Sequence, residues 1–145
     1  MNAGTLGGMG VIAGAVTVGT NDGSGAMLAP SQKPIPATLT IQKSLTFQSD
    51  GLYQCALNSD SGMVTQVIAN GVTIDTSAQL SLADLGNSVV TPGTVLTLIN
   101  NTAATAITGT FDDLPDGSTI TVGSNTFQAS YTGGDGNDLT LTVVP

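Results

Sequence analysis

Several residue types are absent or scarce in this chain of 145 residues. It has no Glu, Arg, His or Trp, only two Lys, and an aromatic content of 3%. The absence of His excludes His-based catalysis and His-ligated metal sites. Only Lys33 and Lys43 could neutralise phosphates, so nucleic acid is not expected as a partner. Long surface helices, which draw on Glu, Lys, Arg and Gln, are not expected either.

The single cysteine, Cys55, lies in the apolar segment 52–57. One cysteine cannot form an internal disulfide, and a zinc site would need further Cys or His ligands. A nucleophilic role would need a partner base such as His. We therefore expect Cys55 to be a small buried core residue.

The chain has no run of 18 apolar residues, and its first residues lack the basic region of a signal peptide. We therefore expect no membrane insertion by this chain. The formal net charge is -8, because all ten acidic residues are Asp and face only two Lys.

Short alternating runs of Val, Ile, Leu and Thr recur along the whole chain, as at 38–41, 95–99 and 139–144. Alternation with a period of two is typical of half-buried strands. Turn signals such as Asp50-Gly51 and Asn70-Gly71 separate these runs. The pattern predicts an all-β fold, and only residues 81–85 resemble a helix.

Thr-rich strands with few aromatics favour a β-solenoid over a sandwich, because only slim side chains fit a narrow interior. We predict a right-handed parallel β-helix (β-solenoid) with a C-terminal β-hairpin cap, forming a single domain over residues 1–145. Residues 1–111 would form degenerate coils, and residues 112–145 the capping hairpin and last strand. At about 20 residues per coil, the chain would make six or seven coils.

The hairpin is predicted from strands at 119–122 and 126–131 around Gly123-Ser124-Asn125. The predicted core consists of apolar side chains from most of the strands: Val18, Leu39, Ile41, Leu45, Phe47, Leu57, Val67, Ile74, Leu80, Leu82, Leu96, Leu98, Ile107, Phe111, Ile120, Phe127, Leu139 and Leu141.

Several segments, read in order, resemble a known family. They are Gly4–Gly10, Met27–Pro30, Ala37–Ile41, Thr94–Asn101, Ile107–Phe111, Leu114–Gly117 and Tyr131–Val143. This order resembles the autotransporter-associated β-strand repeat, also called the passenger-associated transport repeat, in its C-terminal portion. The resemblance implies a parallel β-helix on the bacterial surface or outside the cell, with scaffold or stalk roles and no catalytic residues. The family's Pro-Gly-Asn turn is replaced here by residues 31–36, where two extra prolines are expected to stiffen a bulging loop.

Residues 133–141, Gly-Gly-Asp-Gly-Asn-Asp-Leu-Thr-Leu, fit the calcium nonapeptide pattern. Asp135 and Asp138 could supply the hard oxygen ligands that calcium prefers. Calcium in such β-rolls lies between successive turns, and this chain carries one copy. The competing interpretation is a Gly-Asp turn joining the last two strands. Asp112, Asp113 and Asp116 are interpreted as a solvated loop.

Two further functions are weaker alternatives. A polysaccharide-active enzyme could use paired carboxylates such as Asp112 and Asp135, but the chain lacks the Arg, His and Trp that such sites use. Ice binding would use flat Thr ladders, but pairs such as Thr38/Thr40 and Thr119/Thr121 are scattered rather than evenly spaced.

The favoured function is a non-catalytic structural protein, secreted or on the bacterial cell surface, acting as a scaffold, stalk or self-assembling fibre subunit. Exposed strand edges, above all an open N-terminal edge, predict a homo-oligomer or fibre. The alternative is a calcium-dependent adhesion or binding module. No small-molecule substrate is expected, and no cofactor apart from calcium at the 133–141 turn.

Overall fold

The computed structural model describes residues 3–23, 25–32 and 35–145, and within these ranges the protein is all-β. Strands account for 54% of the residues, and the described ranges hold no helix. They accordingly contain no helix long and apolar enough to cross a membrane. Lys33 and Pro34, which the sequence analysis discussed, lie outside the described residues.

The described strands are mostly short. In chain order they are β1 (Gly4–Gly7), β2 (Gly10–Ile12), β3 (Val16–Val18), β4 (Ala26–Ala29), β5 (Ser31–Gln32), β6 (Ile35–Pro36), β7 (Thr38–Ile41), β8 (Leu45–Phe47), β9 (Gly51–Asn58), β10 (Met63–Val64), β11 (Gln66–Ala69), β12 (Val72–Ile74), β13 (Gln79–Asp84), β14 (Val95–Asn101), β15 (Thr119–Val122), β16 (Asn125–Gly133) and β17 (Asp138–Val144).

Three sheets take parallel strands from the chain in strict rotation. The parallel strands of sheet A are β1, β4, β9 and β13; those of sheet B are β2, β7, β11 and β14; those of sheet C are β3, β8 and β12. The chain passes through A, then B, then C, and returns to A. A fourth pass through sheet C is reduced to one parallel bridge between Thr73 and Thr108.

One pass of the chain through sheets A, B and C takes more residues than the sequence analysis predicted for one coil. Gly4 pairs with Ala26, which lies 22 positions later, and Val67 pairs with Ile99, which lies 32 positions later. The prediction of six or seven passes of about 20 residues was therefore wrong, and sheets A and B each receive four parallel strands. Segments outside the parallel strands lengthen the passes: the β5–β6 ribbon between β4 and β7, β10, which pairs back on β9, and residues 85–94 between β13 and β14.

Strand β9 illustrates how the sequence directs side chains into the interior. Gly51, Tyr53, Cys55 and Leu57 are buried, whereas the residues between them are half-buried or exposed. This is the period-two alternation expected of a strand with one face on the core. Every predicted core residue is buried except Leu82 and Ile120, which are partly buried against the core.

Three aromatic rings meet in this core, and sequence reasoning had included only two of them. The ring centroids of Phe47 and Phe111 lie 5.1 Å apart, and Tyr53 lies 5.6 Å from Phe47 and 6.1 Å from Phe111. The Tyr53 hydroxyl donates to the Leu98 carbonyl at 2.7 Å, so this buried polar group is satisfied. The cluster joins sheet A, sheet C and the segment that follows Thr108.

The C-terminal part of sheet B is antiparallel. Strand β17 pairs with β14, β16 with β17, and β15 with β16, so that sheet B runs in the order β15-β16-β17-β14-β11-β7-β2. The predicted hairpin around Gly123-Ser124 is present, with Val122 opposite Asn125. Residues 81–85, the one helix-like stretch in the sequence, fall largely in strand β13.

Two polar side chains of β16, those of Tyr131 and Asn125, hydrogen-bond to chain segments beside the antiparallel part of sheet B. The hydroxyl of Tyr131 donates to the Leu114 carbonyl at 2.7 Å and accepts the Phe111 N–H at 3.1 Å. Burial raises the pKa of Tyr131 to about 12, so the phenol stays protonated at neutral pH. The Asn125 side chain bonds the backbone of the segment after β13, accepting from Val90 N–H and donating to the Ser88 carbonyl.

Candidate functional site

The turn that carries the calcium motif connects two antiparallel strands. Residues 134–137 lie between β16 and β17, and Gly133 pairs with Asp138 across the turn. Gly134 has a φ of +57°, and a Cβ built there would lie 2.0 Å from Oδ2 of Asp138. A residue with a side chain at this position would need the left-handed backbone conformation and would have to displace the Asp138 carboxylate. The geometry agrees with the Gly-Asp turn interpretation, whereas calcium rolls stack such turns in parallel.

Asp138 is 7% exposed, whereas Asp135 lies exposed in the turn. The Asn101 N–H donates to Oδ1 of Asp138 at 2.9 Å and ties the turn to the end of β14. Burial raises the pKa of Asp138, and the nearby Asp135 carboxylate raises it further, while the Asn101 N–H opposes both effects. The structure thus gives Asp138 a structural partner. No group of three or more His, Cys, Asp or Glu side chains in the described ranges is arranged to hold a metal ion.

Asn137, between the two predicted ligands, is held by the segment after β14. Its Nδ2 donates to the carbonyls of Ala103 at 2.5 Å and Thr105 at 3.3 Å. Its Oδ1 is buried and has no hydrogen-bond donor, which is unusual for a buried polar atom. Sequence reasoning missed Asn137, because its hydrogen-bond partners, Ala103 and Thr105, lie 34 and 32 residues away in the chain.

Other carboxylates also accept backbone N–H groups where the chain turns. Oδ1 of Asp50 accepts from Thr20 at 2.8 Å and from Asn21 at 2.9 Å, which joins two successive passes of the chain. The Asn21 N–H makes the largest contribution to holding the pKa of Asp50 far below its ordinary value, and that of Thr20 adds to it. Burial tends to raise the pKa of Asp84, but donation from Gly86 at 2.9 Å and Ser59 at 3.0 Å outweighs it, so the pKa is lowered.

Carboxylates in the predicted solvated loop, which carries Asp112, Asp113 and Asp116, also accept hydrogen bonds from backbone N–H groups. Asp113 accepts the Leu80 N–H at 2.9 Å, and Asp116 accepts the Tyr131 N–H at 3.0 Å, so both carboxylates bind backbone rather than solvent alone. All three acidic residues of this loop, Asp112, Asp113 and Asp116, are exposed, as predicted. A short Asp side chain reaches a nearby backbone N–H more readily than Glu, which gives a physical reason for acids that are all Asp.

A groove of about 550 Å³ lies on the outer side of sheet A. Its lining is mostly small and uncharged, with Gly7, Ala29, Gln54, Ala56 and Ala83 among its residues. Cys55 lies at its inner wall but is 1% exposed, and burial raises the pKa of its thiol. The thiol therefore stays protonated and unreactive, as predicted for a core cysteine.

A second groove, of about 430 Å³, lies beside the edge of sheet B next to β2. Exposed Met9, Ile35 and Met63 contribute to its lining, together with half-buried Val64. These side chains give the surface near β2 an apolar character and no charge. Exposed apolar side chains of this kind are common on surfaces that contact other molecules.

A comparison with protein-family models finds no matching family, and comparisons with curated proteins and with solved structures find no similar protein.

Proposed function

We propose that this chain is a non-catalytic structural protein of the bacterial cell surface or extracellular space, acting as a scaffold, a stalk or a self-assembling fibre subunit. Its fold would be a right-handed, three-sided parallel β-helix closed by the C-terminal hairpin. The observation that carries the proposal is the strict rotation of the chain through sheets A, B and C with parallel register. Right-handedness follows from the strong preference of parallel crossovers for that hand.

The chemistry of the polar groups supports a structural role. Asp50, Asp84, Asp113, Asp116 and Asp138 each bind at least one backbone N–H. Carboxylates used in this way stabilise turns, and they are poorly placed to serve as a catalytic acid and base. The proposal therefore assigns the acidic residues to the construction of the fold.

The location outside the cell rests on the resemblance to autotransporter-associated β-strand repeats described above. Only 8% of the residues are charged, so there is little electrostatic repulsion to oppose contact between copies of the chain. We propose that the partner is another copy of this chain, joined through exposed strand edges, with neither nucleic acid nor a small-molecule substrate involved.

Sedimentation velocity of the purified chain, in calcium and in chelator, tests this function. We expect concentration-dependent large species in both buffers, and a fibre diffraction spacing near 4.7–4.8 Å from the stacked strands. A compact monomer at every concentration in both buffers would contradict the self-assembling subunit.

The second candidate is a calcium-dependent adhesion or binding module that uses Asp135 and Asp138. The unpartnered, buried Oδ1 of Asn137 beside these carboxylates favours it, because calcium binds carboxylate and amide oxygens. A thermal-unfolding titration with calcium discriminates the two functions: only the calcium module predicts stabilisation at millimolar calcium or below. Asp135→Asn in the exposed turn should abolish that stabilisation, whereas Asp112→Asn in another exposed loop should leave it unchanged.

A further inference from the structure

Sheet B has two ends, and among the described residues each end strand is paired on one side only. Strand β2 pairs with β7, and strand β15 pairs with β16. The two strands are six strand spacings apart in the order of the sheet, or about 29 Å at 4.8 Å per spacing. The molecule therefore offers two different edges of one sheet.

The hairpin geometry shows which backbone groups of β15 are unpaired. Val122 and Asn125 flank the two-residue turn and form its hydrogen-bonded closing pair, so Thr121 and Thr126 form a pair without backbone hydrogen bonds. The N–H and C=O of Thr121, and by the same alternation those of Thr119, consequently point away from β16. Both Thr side chains are exposed.

The β2 edge is apolar. Val11 in β2 is 65% exposed, and Met9 just before it is 60% exposed. Ile12 points to the core side, because it pairs with buried Ile41, but it is only half-buried. A strand added beside β2 would pair its free backbone groups and cover part of this apolar surface.

Neither edge strand carries in its own sequence the charged side chains that usually protect strand edges from pairing. Residues 1–21 and residues 117–134 contain no Asp, Glu, Lys or Arg. Natural proteins commonly block exposed edges with charged side chains, Lys above all, or with Pro. The net charge of -8 is carried outside these two segments, and Asp84 beside Gly123 is the carboxylate near the end of β15.

We propose that β15 of one copy pairs with β2 of the next copy, so that sheet B continues from molecule to molecule. This inference rests on the proposed self-association and names the two surfaces that would carry it. The contact is head-to-tail, because the two edges differ and lie at opposite ends of the sheet. Such contacts form open filaments unless their rotation closes a ring. Because β15 runs antiparallel to β2 within the sheet, copies of equal orientation would pair antiparallel.

One charged side chain at each edge tests the proposal. We expect Thr121→Lys on β15 and Val11→Lys on β2 each to weaken self-association by about tenfold or more in sedimentation velocity. Gln128→Lys is the matched control, because Gln128 is also exposed and lies on β16 between β15 and β17, away from the free edge. Circular dichroism and thermal unfolding establish that each variant is folded before its association is measured.

Mixing the two edge variants gives the sharper measurement. Thr121→Lys retains a free β2 edge, and Val11→Lys retains a free β15 edge, so the mixture should form a dimer and nothing larger. Neither variant alone should form that dimer. Hydrogen exchange on the unmodified chain adds a readout without substitutions: residues 10–12 and 119–122 should gain protection together as the concentration rises.

The possible outcomes separate this inference from the proposed function. A monomeric unmodified chain would overturn this inference and the self-assembling subunit, but not a structural role as a scaffold or stalk. If Val11→Lys blocks assembly and Thr121→Lys does not, the contact joins two β2 edges. That result would overturn the head-to-tail pairing, whereas self-association would stand. Assembly unaffected by either variant would overturn the inference and direct attention to other surfaces.

Discussion

Gly109 provides the sharpest test of how the last pass of the chain is attached to sheet C. Its φ is +81°, and a Cβ at this position would lie 2.0 Å from the carbonyl oxygen of Ile74. The adjacent backbone bonds run from Ile74 N–H to Thr108 at 2.7 Å and from Thr108 N–H to Val72 at 3.0 Å. Gly109→Ala therefore introduces both an unfavourable backbone conformation and a collision with backbone that cannot easily move.

The matched control is Gly117→Ala. Gly117 has a φ of +78°, nearly the same as Gly109, but a Cβ there meets nothing within 4 Å. The left-handed conformation alone should cost Ala about 1 kcal/mol. For Gly109→Ala, the collision should also break the two Ile74–Thr108 and Thr108–Val72 hydrogen bonds, at about 1 kcal/mol each, giving a total of about 3 kcal/mol.

Chemical denaturation followed by far-UV circular dichroism measures this difference, since the chain has no Trp to report by fluorescence. In thermal unfolding, the control should lose about 2–4 °C and Gly109→Ala roughly 10 °C in Tm. Equal losses in the two variants would refute the reasoning, because they would mean that the close approach to Ile74 contributes nothing beyond the backbone conformation.

Three further predictions concern the core and the acidic groups. Phe47→Ala should lower the free energy of unfolding by about 3–5 kcal/mol in urea denaturation, because the ring is fully buried against two aromatic neighbours. Phe47→Leu should lower it clearly less. Equal losses of unfolding free energy in the two variants would contradict the packing of the three rings. The pKa values of Asp50 and Asp84 are lowered in the folded protein, so both groups stabilise it above the ordinary Asp pKa, and this stabilisation is lost as the pH falls through their folded pKa values. The pKa of Asp138 is raised, so this group stabilises the folded protein below the ordinary Asp pKa, and that stabilisation is lost as the pH rises. Tm measured from pH 7 to pH 2 should therefore decline below about pH 4, and less steeply in Asp50→Asn; parallel curves would show that Asp50 is not involved. Buried Cys55 should react with a thiol reagent at the rate of unfolding, and labelling of the native protein as fast as a free thiol would show that β9 opens locally.

Local sequence features anticipated much of the fold. Period-two alternation placed most strands, and the residues that it assigned to the core are buried apart from Leu82 and Ile120, although other buried side chains such as Leu28 and Ile99 were not included. It left Tyr53 and Leu114 out of the core, although both are buried. Tyr53 was missed because burial of its hydroxyl depends on the Leu98 carbonyl, 45 residues away in the chain.

The candidate site depended far more on long-range contacts. The sequence singled out Asp135 and Asp138, but the antiparallel pairing of β16 with β17 and the bond from Asn101 to Asp138 became visible only in the fold. The backbone-binding roles of Asp113 and Asp116 were likewise hidden, because their partners are 33 and 15 residues away. A local sequence pattern does not indicate which distant backbone N–H will donate a hydrogen bond to a carboxylate in a turn.

By itself, the sequence determined the all-β character, the inward and outward faces of most strands and the charge-free segments at 1–21 and 117–134, because these depend on residue type and local spacing. Tertiary structure alone decided which strands pair, the return of the chain after 22 to 35 residues and the change from parallel to antiparallel pairing after β14. Strand pairing joins backbone groups that every residue carries, so its register is set by the collective packing of the core and the corners.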